Sequence, residues 1–144
     1  EDSYVGADAP HKSFGSEGYL KVNKNPQRIS FLKFRVPVDT TFSQVLLKLD
    51  PKDSNENGGV VSVLNDNLWS EKLLTFDSKP VNGEVRVGEI GPVSARVVKT
   101  IDVTSFVQSG KTVTFKISTD ASEGVDYFSR ESSTDSSPAL LFVK

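Results

Sequence analysis

The residues able to do chemistry are unevenly placed along this chain. Between His11 and Arg35 the cations Lys12, Lys21, Lys24, Arg28, Lys33 and Arg35 stand against a single acid, Glu17. Between Asp120 and Ser136 the balance reverses, with Asp120, Glu123, Asp126, Glu131 and Asp135 against Arg130. The net charge of -2 hides this polarity. A chain so divided can present a positive face without being basic overall. Two kinds of site follow. Cations gathered on one strand face suit carboxylates or sulfates, and Arg can hold them bidentately. Converging carboxylates suit Ca²⁺, which takes six to eight oxygens at about 2.3–2.6 Å.

Catalysis has less to build on. His11 is the single histidine, in a stretch, 7–14, that reads as loop. A lone loop histidine reads as a solvated surface residue, since a pKa near neutrality is no mark of function. A Ser-His-Asp triad would have to use it, and no Gly-x-Ser-x-Gly elbow is present. There is no Gly-rich phosphate loop and no zinc-type spacing. The chain has no Cys, which excludes disulfides, thiolate metal sites and a Cys nucleophile. With 19 Asp and Glu, carboxylate pairs arise by chance, and none has a recognisable context. The expectation is a protein that is not an enzyme.

Length and composition frame what must position these residues. A chain of 144 residues usually forms one domain, so residues 1–144 are expected to be a single module. The chain opens on Glu1 and contains no Met, which reads as a piece excised from a larger protein. No apolar run reaches the length of a membrane span. Neither a membrane nor a nucleic acid is expected as partner.

Short alternating runs separated by turn signals predict an all-β sandwich or barrel. Residues 19–23 alternate, with Leu20 and Val22 on one face and Tyr19 and Lys21 on the other. Asn25-Pro26 marks a turn. Residues 29–36 form the clearest strand, with Leu32, Phe34 and Val36 opposite Phe31, Lys33 and Arg35. Further strands are expected over 44–50, 60–64, 84–87, 96–103, 112–118, 125–129 and 139–143. Residues 69–76 are ambiguous and have room for a short helical turn. A single helical turn is expected at 104–107, capped by Asp102 and closed by Gly110.

If the strands at 19–23 and 29–36 pair, then Tyr19, Lys21, Phe31, Lys33 and Arg35 make one patch, since cross-strand neighbours sit about 5 Å apart. Lys33 and Arg35 are its centre, and losing either is expected to weaken ligand binding without unfolding the protein. Two other readings stand beside this one. The face is ordinary solvated surface, or Phe31 is core and another segment covers it. Among the acids, Asp2 begins the first strand, while Asp126, Glu131 and Asp135 flank a late one. If those strands adjoin, Asp2 and Asp126 are candidate ligands of a structural calcium; solvated acidic loops are the alternative.

Seven segments follow one another in a familiar order. They are Asp2-Ser3-Tyr4-Val5; Ser13-Phe14-Gly15 with Leu20-Lys21-Val22; Phe31-Leu32-Lys33-Phe34; and residues 46–49. Then come Trp69-Ser70-Glu71 with Thr75-Phe76 and Pro80; Asp102-Val103-Thr104; and Phe128-Ser129-Arg130-Glu131 with Pro138-Ala139-Leu140. Together they resemble the DNRLRE-type domain, also classed as carbohydrate-binding module family 96, over nearly the whole chain. The chain departs from that pattern at Ser3, Phe31 and Phe76, where the family has Ala, Tyr and Trp.

The resemblance implies a jelly-roll antiparallel β-sandwich of secreted or cell-surface proteins, an accessory module of polysaccharide-degrading enzymes. It implies binding, without catalysis, of an acidic polysaccharide such as alginate. The carbohydrate contacts expected are Tyr19, Lys21, Arg28, Phe31, Lys33, Arg35 and Arg130. Arg130 either reaches the ligand or holds Glu131 or Asp126 in place. Trp69, the single Trp, is expected to be buried packing. The module is expected to act as a monomer tethered to other domains. A structural or adhesive spacer of a bacterial or archaeal surface protein is the other function to weigh.

Overall fold

The computed structural model describes residues 1–132 and 136–144. Ten strands run in chain order: β1 (Asp2–Gly6), β2 (Tyr19–Val22), β3 (Arg28–Arg35), β4 (Gln44–Leu49), β5 (Val60–Leu64), β6 (Val85–Glu89), β7 (Lys99–Asp102), β8 (Thr112–Ser118), β9 (Val125–Phe128) and β10 (Ala139–Val143). All their pairings are antiparallel. One sheet has the order β1-β3-β8-β5-β6. On the other side, β2 pairs β9, and β4 lies between β10 and β7. These two pieces join where β4 runs on: Pro51 bridges Tyr127, Phe128 N–H donates to Asp50 O at 3.0 Å, and Lys52 N–H donates to Asp126 O at 2.9 Å.

The orders β3-β8-β5-β6 and β2-β9-β4-β7 are those of a jelly roll, with β1 and β10 added beside them. The expected all-β sandwich is therefore the observed one. The sequence reading places most strands within two residues of their observed limits. The strand expected from 96 starts only at Lys99, because Arg96 takes a left-handed φ of 63° that no strand accommodates.

Leu20, Val22, Leu32, Val45, Leu47, Leu49, Phe115, Ile117 and Tyr127 fill the space between the sheets. They are the inward members of alternating strands. Tyr127 is fully buried and donates its hydroxyl to Gly58 O at 2.6 Å, which satisfies the polar end of an otherwise apolar side chain.

A second, smaller core lies on the outer face of the first sheet. There Val5, Ile29, Phe31 and Leu64 meet Trp69 and Leu74 of the 69–76 segment. That segment makes one turn, with Leu74 N–H donating to Ser70 O at 2.9 Å, and then crosses the sheet as a cover. Trp69 is anchored by its Nε1–H, which donates to Thr114 Oγ1 at 3.1 Å. Asp102 accepts from Thr104 N–H at 2.9 Å just ahead of the 3-10 turn Thr104–Phe106, but Val103 occupies the N-cap position without a side-chain cap bond, so the expected Asp102 cap is corrected to a local side-chain turn.

Candidate functional site

The single patch expected from β2 and β3 does not form. Asn23 and Arg28 bridge the two strands once. Beyond that bridge β2 joins β9 while β3 joins β1 and β8. Leu20 and Val22 then face Leu32 across the core, so the outward faces of β2 and β3 lie on opposite sides of the sandwich. Alternation shows which residues share a face of one strand. It cannot show that consecutive strands belong to different sheets.

On the β3 side, Phe31 is 0% exposed and packs at 6.2 Å, centroid to centroid, from Trp69. Its expected place on an open face is thus corrected: the 69–76 segment covers it. Lys33 is only 14% exposed at its side chain. Its Nζ donates to Asn67 O at 3.2 Å and to Trp69 O, pairs with Glu1 Oε2 at 2.9 Å, and stands 4.8 Å from the Trp69 ring. Arg35 is exposed at the end of β3, beside Glu1, Asn67 and Thr112.

On the β2 side the structure gathers a different set. Tyr19 opposes Phe128 across the β2–β9 ladder, their rings 5.5 Å apart. A cation stands over each ring: Lys52 Nζ at 4.4 Å from Tyr19, and the Arg96 guanidinium at 4.4 Å from Phe128. Lys21 opposes Asp126 two pairs further along, with its Nζ 6.0 Å from the Tyr4 ring. Tyr4 stacks on Phe14 at 4.3 Å, and Lys12 stands 4.9 Å over Phe14. Aromatic and cationic side chains thus alternate along the outer face of the second sheet and round its edge.

Arg28 belongs to the same corner. It pairs with Asp8 at 3.1 Å, and its charge acts on both Tyr4 and Asp126. Burial lifts Asp126 above the usual carboxylate range, against the pull of Lys21, Lys52 and Arg28. Arg96 is held in its left-handed conformation by its N–H, which donates to Pro51 O at 2.8 Å, and it lies 4.0 Å from Asp50.

Sequence reasoning missed Lys52, Arg96 and Phe128. Phe128 was visible as a strand aromatic. Lys52 lies in an irregular segment where no periodicity marks a face, and Arg96 stood at the start of an expected strand that the structure begins only at Lys99.

The acids separate in the same way. Asp126 does not join Asp2; it faces Lys21. Instead Asp2, Glu71 and Glu131 bring one carboxylate oxygen each to within 4.8 Å of one another, a set with the geometry to hold a metal ion. Asp2 N–H donates to Glu71 Oε1 at 3.2 Å, and Arg130 N–H donates to Asp2 Oδ2 at 2.9 Å. The Arg130 side chain lies 3.4 Å from Glu71 and 3.5 Å from Glu131 and is more than half exposed, a placement that fits its expected role of holding Glu131. Asp135 lies outside the described residues. His11 stands exposed on the surface, 3.0 Å from Asp77.

The sequence model of carbohydrate-binding module family 96 matches residues 1–144, the whole chain. The chain belongs to carbohydrate-binding module family 96. A module of this family is a carbohydrate binder and is usually non-catalytic. No curated protein matches the chain with significance. No helix among the described residues is long and apolar enough to cross a membrane, which leaves β-barrels aside. In this family-96 module, the aromatic and cationic strip on the second sheet is the candidate carbohydrate surface.

Proposed function

We propose that this module binds an acidic polysaccharide, an alginate-like polyuronate or a sulfated glycan, along the outer face of the β2–β9 sheet. The observation that carries the reading is the Tyr19–Phe128 pair with Lys52 and Arg96 each seated on a ring. A flexible cation held over an aromatic face loses less freedom when it meets an anion. The rings thereby place two positive heads on one ladder, with Lys21 beside them. Phe31 and Lys33 serve the fold on the opposite face, and Arg130 serves the carboxylate cluster.

The module works outside the cell or on its surface, tethered to other domains, in a polysaccharide-degrading enzyme or a surface protein. Calcium is its structural ion. Extracellular modules bind calcium at about 10⁻⁴–10⁻³ M.

Calorimetry against polyuronate and sulfated oligosaccharides at rising ionic strength tests the proposal. Binding is expected at low salt and should weaken as salt screens the exposed charges. Absence of any acidic-glycan binding at low salt overturns it and leaves the spacer function standing.

A further inference from the structure

Three carboxylates meet at the junction of β1, the 69–76 cover and the segment after β9. Asp2 is 3% exposed. Its Oδ2 accepts from Arg130 N–H, but its Oδ1 is sealed from solvent with no hydrogen-bond partner among the described residues. Glu131 Oε2 is left in the same condition. Buried carboxylate oxygens without a donor are costly and rare in folded proteins, and here two of the three carboxylates in one group have one.

Arg130 does not supply what is missing. Its guanidinium is more than half exposed and lies 3.4–3.5 Å from its two partners. Lys33 holds Glu1 and two carbonyls, the amino terminus donates to Lys33 O at 2.9 Å, and Lys72 stands exposed on the cleft beside Glu71 and Glu131. Among the described residues, the ion pairs of the three carboxylates come from Arg130, which reaches Glu71 and Glu131 but not Asp2.

From this arrangement we infer that Asp2, Glu71 and Glu131 form a calcium site that clasps the first strand, the 69–76 cover and the end of β9 together. Ligands on opposite sides of Ca²⁺ stand about 4.6–5.2 Å apart, twice the usual Ca–O distance, and the three oxygens here fall within 4.8 Å. A cleft lined by Ser13, Gly15, Ser16, Lys72 and the two glutamates opens on the glutamate side of the cluster; Asp2 is not part of its lining. The ligand set does not depend on glycan binding. The choice of calcium over other divalent ions rests on the extracellular setting proposed above.

The test is thermal melting and calorimetry of the whole chain with CaCl₂ and with chelator. At calcium 100 times its Kd the melting temperature should rise by about 9 °C. Glu131→Gln, or Glu71→Gln if the first fails to fold, should lose most of that shift, while Asp126→Asn should keep it. A chain whose melting and titration are both indifferent to calcium overturns the inference. So does a shift that survives in the glutamate variants or disappears in Asp126→Asn. Polyuronate titration of the same samples reports on the glycan reading separately, because the two sites share no residue.

Discussion

Lys33 separates the two faces most sharply. As a ligand contact its loss should weaken binding and spare the fold; the structure predicts the reverse. Its Nζ donates to two carbonyls, Asn67 O and Trp69 O, that tie the 69–76 cover to β3. A hydrogen bond to a charged group contributes about 1.5–3 kcal/mol. The Glu1 pair is counted as nothing, because that carboxylate is 36% exposed and screened. The cost of desolvating the ammonium offsets part of the gain. Lys33→Ala should then lose about 3 kcal/mol. With an unfolding entropy of roughly 2.1 cal/mol/K per residue, the 144 residues give a fall in melting temperature of about 10 °C. Lys33→Met keeps the apolar stem against Trp69 and should lose about half as much. Denaturant titration measures the loss, and calorimetry with polyuronate measures binding on the folded variant, which should match the parent. A Lys33→Ala protein melting within about 2 °C of the parent, but binding glycan tenfold more weakly, would refute the assignment of Lys33 to the fold.

The other expectations concern single positions. Lys52→Ala and Arg96→Ala should each weaken polyuronate binding about three- to tenfold, the effect of about 0.7–1.4 kcal/mol, with a flatter salt dependence; parent-like titrations of both would move the binding face elsewhere. Asp126→Asn removes the acid facing Lys21 and should strengthen acidic-glycan binding about two- to fivefold, as expected of one half-buried charge near the surface. Its effect on stability has a defined sign. Burial raises the Asp126 pKa in the folded state above 3.8, so at neutral pH the ionised group disfavours the fold. The Asn variant should therefore be the more stable at neutral pH, with the advantage shrinking as pH falls through the folded pKa and gone below 3.8. Melting curves from pH 7 downward would expose an opposite trend. Phe31→Tyr should bring no gain in glycan binding and cost about 1–3 kcal/mol, because the added hydroxyl enters a sealed apolar site; tighter glycan binding by the Phe31→Tyr variant would show that the face opens.

How much of this was legible beforehand depends on the range of the interaction. Leu20, Val22 and Leu32 were readable as members of one face of their strands, because side-chain alternation is a property of each strand alone. The bond from Thr104 N–H to Asp102 was readable because it closes over two residues, although the cap position itself falls to Val103. The order of seven short motifs carried the family. The pairing of strands is different. Nothing in residues 19–36 says that a hairpin bridged at Asn23 and Arg28 will part into two sheets, because that choice is made by the joint burial of Leu20 and Leu32 against the rest of the core. That choice sent Phe31 and Lys33 under a cover and left Tyr19 and Lys21 outside. It seated Lys52 and Arg96 on rings from strands distant in sequence, and it placed Glu71 rather than Asp126 beside Asp2. Chemistry that depends on one strand was in the sequence. Chemistry that depends on which strands meet belonged to the tertiary structure, where many weak contacts between distant residues decide together.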